Sequence, residues 1–595
     1  MKKFNLEYPR PQFKRNNWYN LNGKWNFLFD DENIGEKSGY YTNFPCENMI
    51  NVPFTYETKL SGIGDESVHS TVWYNRKFIL SADDVKEGIL LYFEASDFFT
   101  KVWINGKFVG ENIGGYHRFS FDITNCITVG ENDVTVKVED SLSLDQPRGK
   151  QRYRTENFAC WYVQTTGIWK TVWLERVGDK RFNHIKITPD YDNKSVEFEF
   201  DLSLVGSQLA RNQCFAETII SFEGKNVSKS MSPLYPGANG LSVSFENDAD
   251  FHEWSPETPN LYDVKFNLYF NDKLVDSVDS YFGIRKISIS GDKILLNNQP
   301  INLKMVLDQG YWKDCHLTAP SGQALLDDIN TTFAYGYNAV RKHQKIEDER
   351  YLYFCDKLGL LVWSEMANAY AFTDKAVSYF TDEWKKIVFQ NYNHPSIITW
   401  VPFNESWGFS NLGSNINQQN FVNSVYFFTK ALDPTRPVVS NDGWQQVMTD
   451  IITIHEYRHN ADEVLNAYID EELKILNGQL PYSCNKKLLA DGYKYNGQPV
   501  IMSEYGGITY YKMCNEKGDW GYGGVKSEQD FINRFAEITE TVEKIPYISG
   551  YCYTQIADVQ QEMNGLLYES REPKFSNEGI KAIKEINDRM YKKVI

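Results

Sequence analysis

From Arg285 onward the chain alternates short apolar runs with longer amphipathic stretches, and this rhythm restricts the possible folds more than any other feature. Runs suited to buried strands occupy 302–307, 338–341, 360–365, 397–403, 437–441, 450–457, 499–504 and 548–554. Helical stretches such as 351–357, 374–390 and 528–543 separate most of them. Eight such strands over roughly 300 residues predict a (β/α)8 TIM barrel. A doubly wound sheet also alternates, but normally with fewer strands and a Gly-rich phosphate turn. No GxGxxG or Walker loop is present.

Upstream the rhythm is different. Segments 24–29, 72–78 and 134–138 alternate at least partly with period two, and 102–104 runs into Asn105-Gly106, a type I′ hairpin signal. This predicts a β-sandwich, a jelly roll, over 1–181. A second all-β segment, 182–284, carries closely alternating runs at 196–200 and 264–270 and predicts an immunoglobulin-like sandwich. The barrel then takes 285–595, a division that suits 595 residues, too many for one core.

A net charge of −17 argues against nucleic acid or an anionic membrane as partner. No apolar run is long enough to span a bilayer, and no apolar stretch follows the basic start Met1-Lys2-Lys3. Nine cysteines, scattered without a CxxC pair, predict free thiols in a reducing compartment, and hence a cytoplasmic protein. Aromatic residues make up 15% of the chain; they suit sugar faces and sandwich cores alike, so they decide nothing alone.

Two strings carry the chemistry. Trp400-Val401-Pro402-Phe403-Asn404-Glu405 and Ile501-Met502-Ser503-Glu504-Tyr505-Gly506 each bring a largely apolar run to a glutamate at a strand end. The C-terminal ends of barrel strands are where such folds keep catalytic groups. Strands four and seven face each other across a barrel, so the two carboxylates can converge, as glycoside hydrolysis requires. A single glutamate there would more often be a surface ion pair; two at opposed strands argue for chemistry.

These residues resemble a family. Asn404-Glu405 is similar to the acid/base motif of glycoside hydrolase family 2, the β-galactosidases, β-glucuronidases and β-mannosidases, and Ser503-Glu504-Tyr505-Gly506 to its nucleophile motif. Asn338-Ala339-Val340-Arg341, continuing through Tyr351, Asp356 and Gly359 to Leu360-Leu361-Val362-Trp363, resembles its long signature. Thr166-Gly167-Ile168-Trp169 and Trp254-Ser255-Pro256 through Leu261-Tyr262 are similar to its sugar-binding and sandwich domains. The resemblance implies Glu405 as acid/base, Glu504 as nucleophile and Asn404 as partner of the sugar 2-hydroxyl. It also implies Tyr457 as donor to Glu504 and Arg341 as its electrostatic support, with His455 and His343 near the sugar hydroxyls. At the first strand's exit Asp308 offers a hydroxyl ligand and Trp312 a stacking platform; Tyr553 ends the eighth strand, where relatives often have tryptophan.

The implied function is a retaining exo-acting hydrolase of a terminal neutral sugar, β-galactoside first. A galactofuranoside, an arabinofuranoside, a β-mannoside or a catalytically silent carbohydrate-binding protein stand as alternatives. The partner is then a glycoside or oligosaccharide, with no cofactor or metal required; homo-oligomers are frequent in such a family. Family glucuronidases hold the uronate with an Asn-x-Lys element after strand eight, but here Asn564-Gly565-Leu566 has no lysine, which disfavours a uronide. His455-Glu456-Tyr457-Arg458-His459 spells a zinc motif that works only on a helix, and it follows a β-branched run typical of a strand.

Overall fold

The computed structural model describes residues 6–589 apart from 47, 205–212, 236–238, 471, 480–484 and 511–517. The first domain packs a six-stranded antiparallel sheet on a four-stranded one. Strands Gly23–Phe29, Thr71–Leu80, Gly130–Glu139 and Phe99–Ile104 lie side by side in the larger sheet. Their inward residues, among them Trp25, Phe27, Tyr74, Val102 and Val136, meet Leu91, Phe93 and Leu174 of the smaller sheet. The hairpin after Ile104 turns at Asn105 (φ 50) and Gly106 (φ 76), the left-handed pair a type I′ turn demands. In the second domain three- and four-stranded antiparallel sheets enclose a phenylalanine-rich core that includes Phe182, Phe198, Phe266 and Phe282.

The third region is the barrel. Parallel strands Ile397–Val401, Leu361–Glu365, Ala339–Lys342, Leu303–Asp308, Ile548–Thr554, Val500–Gly506 and Ile452–Glu456 follow one another in that order. The strand expected at 437–441 is the exception. It bridges the fourth strand only at Trp400–Val438 and Asn404–Asp442. Two of its amides are taken by the next loop: Val438 N–H donates to the Asp450 carboxylate and Ser440 N–H to Thr449 Oγ1. Side chains thus replace a ladder partner, and the eighth position is filled by an irregular extended segment.

Strand parity decides which side chains reach the lumen. Leu303, Met305 and Leu307 join Ala339, Leu361, Trp363, Ile501 and Cys552 in the inner core. Val306, Ile452, Ile454, Met502, Tyr551 and Tyr553 pack outward, most of them against the helix Glu528–Lys544 and its neighbours. The domains are joined by buried polar contacts. Asp356, wholly buried in the helix Glu349–Leu358, accepts from Tyr281 of the second domain, from Ser396 N–H and from His394 Nδ1, while its carbonyl takes Trp254 Nε1–H. Among the described residues no helix is long and apolar enough to cross a membrane.

Candidate active site

Two local distortions bring the glutamates inward. Between strands seven and eight the register slips after Met502, three residues facing two, and this bulge turns both Ser503 and Glu504 toward the axis. After strand four, Glu405 (φ 50) and Ser406 (φ 58) adopt left-handed backbone, uncommon for residues with a side chain. Glu405 is held there by its N–H to Asp442 carbonyl oxygen, 2.8 Å.

The groups converge on His455. Its Nδ1 lies 2.8 Å from Glu405 Oε1 and 3.5 Å from Glu504 Oε2, and its Nε2 is 2.5 Å from Asp442 Oδ1. Burial disfavours its charged form, but Glu504, Asp442 and Glu405 outweigh that and push its pKa up to about 10. One oxygen of Glu405, one of Glu504 and a nitrogen of His455 all lie within 4.8 Å of one another.

Glu504 is held from three sides. Arg341 Nη1 donates to Oε1 at 2.9 Å, Tyr457 OH donates to Oε2 at 2.5 Å, and His343 Nδ1 stands 4.0 Å from Oε1. Burial alone would raise its pKa; the charges of His455 and Arg341 prevail and hold it below the usual carboxylate value. Arg341 is fully buried and donates also to Glu365 Oε2 (2.7 Å) and to Asn404 Oδ1 (2.6 Å). With its oxygen so engaged, Asn404 leaves its buried amide nitrogen without a hydrogen-bond partner among the described residues. His343 is buried, and burial together with Lys150 and Arg341 keeps it well below its ordinary pKa, hence neutral.

Three expected ligands lie elsewhere, and parity explains two of them. Asp308 follows inward Leu307 and therefore points outward, where Lys342 Nζ binds it at 2.6 Å and Gly310 N–H at 2.7 Å. Tyr553 points outward against Phe535 and Tyr505; its neighbour Thr554 faces inward with its hydroxyl 3.2 Å from Tyr457 OH, to which it can donate while Tyr457 donates to Glu504. Trp312 offers no open face: Lys345 and Arg571 each stand 4.8 Å from its rings, and the side chain is 4% exposed. The zinc reading fails likewise. His455 faces the lumen, Glu456 turns outward to Arg458 and Tyr468, and His459 Nε2 binds Gly506 carbonyl oxygen.

Other residues complete the site unforeseen. Asp442 and Glu365 end expected strands and could have been found as carboxylates at strand exits. Tyr522 stacks on Tyr457 at 3.5 Å. Lys150 gave no signal, because it comes from the first domain. The loop carrying it crosses the barrel mouth: Arg148 and Gly149 N–H both donate to Asn368 carbonyl oxygen, and Tyr370 OH donates to Gly149 carbonyl oxygen. Lys150 Nζ sits 4.8 Å from the ring of Trp407, two residues beyond Glu405.

Comparison with known proteins agrees with this architecture. Residues 18–177 match the sugar binding domain of glycosyl hydrolases family 2, 180–285 the central domain of that family, and 287–588 its TIM barrel domain. A β-galactosidase of Leuconostoc mesenteroides is 26% identical over 93% of this chain, which spans 54% of that protein. The β-glucuronidase of Sus scrofa is 23% identical over 82% of this chain and 77% of its own length. A solved β-galacturonidase from Eisenbergiella tayi superposes with a TM-score of 0.75 at 20% identity over 98% of both chains. The chain belongs to glycosyl hydrolase family 2.

Proposed function

We propose that this family 2 glycosidase is a retaining exo-hydrolase that works by double displacement. The observation that carries the reading is the proximity of the two carboxylates, oxygens within 4.8 Å, around one histidine. Retaining enzymes keep their carboxyl groups roughly 5–5.5 Å apart, whereas inverting ones leave about 6.5–9.5 Å for a water.

Glu504, kept ionised by His455 and Arg341, attacks the anomeric carbon. Glu405, at 18% side-chain exposure the more open carboxyl, protonates the leaving oxygen and then takes a proton from water. The free amide nitrogen of Asn404 supports its role toward the 2-hydroxyl. For the sugar, a terminal neutral β-galactoside is the first candidate. Relatives bear both β-galactosidase and β-glucuronidase names, but the strand-eight loop here presents Glu562, a buried carboxylate that would repel a uronate. Seven cysteines are free among the described residues, which supports a reducing, cytoplasmic setting.

The test is a panel of nitrophenyl glycosides: β-galactopyranoside, β-glucuronide, β-mannoside, β-galactofuranoside and α-L-arabinofuranoside. One substrate should turn over with its anomeric configuration retained in the first product, read by proton NMR. Glu504→Gln should reduce that turnover by about 10³-fold or more. An inverted product, or full activity in Glu504→Gln, would sink the reading.

A further inference from the structure

The pocket has a second polar pole, built by two domains. From the first domain, the 157–163 segment locks onto the strand-eight loop. Asn157 Nδ2 donates to Gln560 and Gln561, Gln561 donates back to Ala159 and Trp161 carbonyl oxygens, and Tyr162 OH donates to Glu562 Oε2. Gln309, at the exit of the first barrel strand, reaches the same Glu562 oxygen at 3.4 Å and Gln555 at 2.7 Å. Tyr162 N–H donates to Lys150 carbonyl oxygen, so the same interlock sets the position of Lys150.

Lys150 is 7% exposed, yet among the described residues no carboxylate oxygen lies within 4.0 Å of its ammonium. Burial disfavours its charged form, but Cys160, Glu562, Glu504 and Glu405 around it outweigh that and raise its pKa, so Lys150 stays an ammonium. Gln309 Oε1, on the side chain that reaches Glu562, and Trp161 Nε1, in the segment docked on Gln561, are buried polar atoms without a hydrogen-bond partner among the described residues. Unspent donors and acceptors thus collect at this pole.

We propose that Lys150 and Glu562 form a hydroxyl-reading clamp, ammonium donating and carboxylate accepting, that selects a neutral sugar hydroxylated at a position other than C2. Charge decides against an anionic ligand. Among the described residues Glu365, Asp442 and Glu504 gather on Arg341 and His455, and Glu562 stands with Lys150 beside Tyr162; even with Glu405 protonated, carboxylates outnumber cations there, so a substrate carboxylate would enter a region of net negative charge. A neutral ring with an equatorial or axial hydroxyl satisfies both members without adding charge. This inference rests on the glycosidase reading and names what its sugar site recognises.

The test pairs enzyme variants with substrate analogues. On the panel glycoside that wild type hydrolyses, Lys150→Met should lower kcat/KM by about 10- to 100-fold, the scale of a charge-assisted hydrogen bond. The 3-, 4- and 6-deoxy analogues of that glycoside are then assayed with both enzymes. For one of them the Lys150→Met loss should shrink to threefold or less, because the hydroxyl it reads is already gone. Glu562→Gln should show its smallest loss on an analogue of the same or the adjacent position, and should raise turnover of the matching uronide relative to the neutral sugar. An equal loss on every analogue, or none on any, overturns the clamp while leaving Glu504-dependent hydrolysis intact. If no panel member is hydrolysed in a Glu504-dependent way, the glycosidase reading falls and the clamp with it.

Discussion

His455 and Asp442 share a hydrogen bond of 2.5 Å in the barrel interior, Nε2 to Oδ1. The same Asp442 oxygen accepts from Ser503 Oγ at 2.6 Å and lies 3.4 Å from Arg341 Nη1. Asp442 therefore sets the proton and orientation of His455, whose other nitrogen meets Glu405. A carboxylate behind the imidazole lets one cation serve two glutamates.

That relationship makes stability depend on pH. His455 has its folded pKa raised from 6.5 to about 10, so its contribution is complete below pH 6.5 and is lost as pH rises toward 10. We expect the melting temperature of wild type to fall across that window with a steeper slope than that of His455→Gln. Parallel slopes in a pH series of thermal melts would remove His455 as the cause. Glu504 acts oppositely: its lowered pKa gives stability present above about pH 4.5 and lost as acid protonates it.

Tyr457→Phe removes a donor from Glu504 without changing shape. A hydrogen bond to a charged group contributes about 1.5–3 kcal/mol to a folded protein, so the melting temperature should fall by a few degrees, and kcat should fall roughly tenfold or more as Glu504 loses the donor that orients it. Steady-state kinetics and a thermal melt on the same preparation test this together.

Gly149→Ala probes the loop across the mouth. Gly149 has φ +58, and an added Cβ would stand 2.4 Å from Gln344 carbonyl oxygen. Either the loop or the barrel rim must yield, at a cost of about 1–3 kcal/mol. Because Lys150 is the next residue, kcat/KM should drop tenfold or more; an unchanged value would mean the loop does not position the sugar.

Asp356→Ala tests domain docking instead of chemistry. It strands Tyr281, His394 and Ser396 N–H in a dry interior, and losing one partner of such a buried set costs about 3–5 kcal/mol. The melting temperature should fall markedly, while any enzyme still folded should keep its KM. A stable variant would show that the second domain is held by other contacts.

Much of this was legible in the sequence because periodicity reports burial. Seven of the eight barrel runs form strands, and the helices expected at 374–390 and 528–543 occupy Asp374–Asn391 and Glu528–Lys544. Asp308 and Tyr553 show where that legibility stops. A strand end is visible in sequence, but whether its last residue faces the lumen or the helices depends on parity, and a bulge such as that at Ser503 resets it. Segment 437–441 misled because an apolar run looks the same whether its amides meet a strand or the side chains of Thr449 and Asp450. Lys150 was invisible for another reason: nothing local ties it to Glu405 and Glu504, 255 and 354 residues later, and only the docking of two domains brings it there.

The interlock between Asn157 and Gln561 joins residues 404 positions apart. At about 5–20 residues per second, the ribosome takes roughly 20–80 s to travel between them. Throughout that interval the first sandwich has no strand-eight loop against which to seat Tyr162 and Lys150. A nascent chain therefore holds Tyr162 and Lys150 in place only after the last barrel strand, Ile548–Thr554, and the loop behind it have arrived.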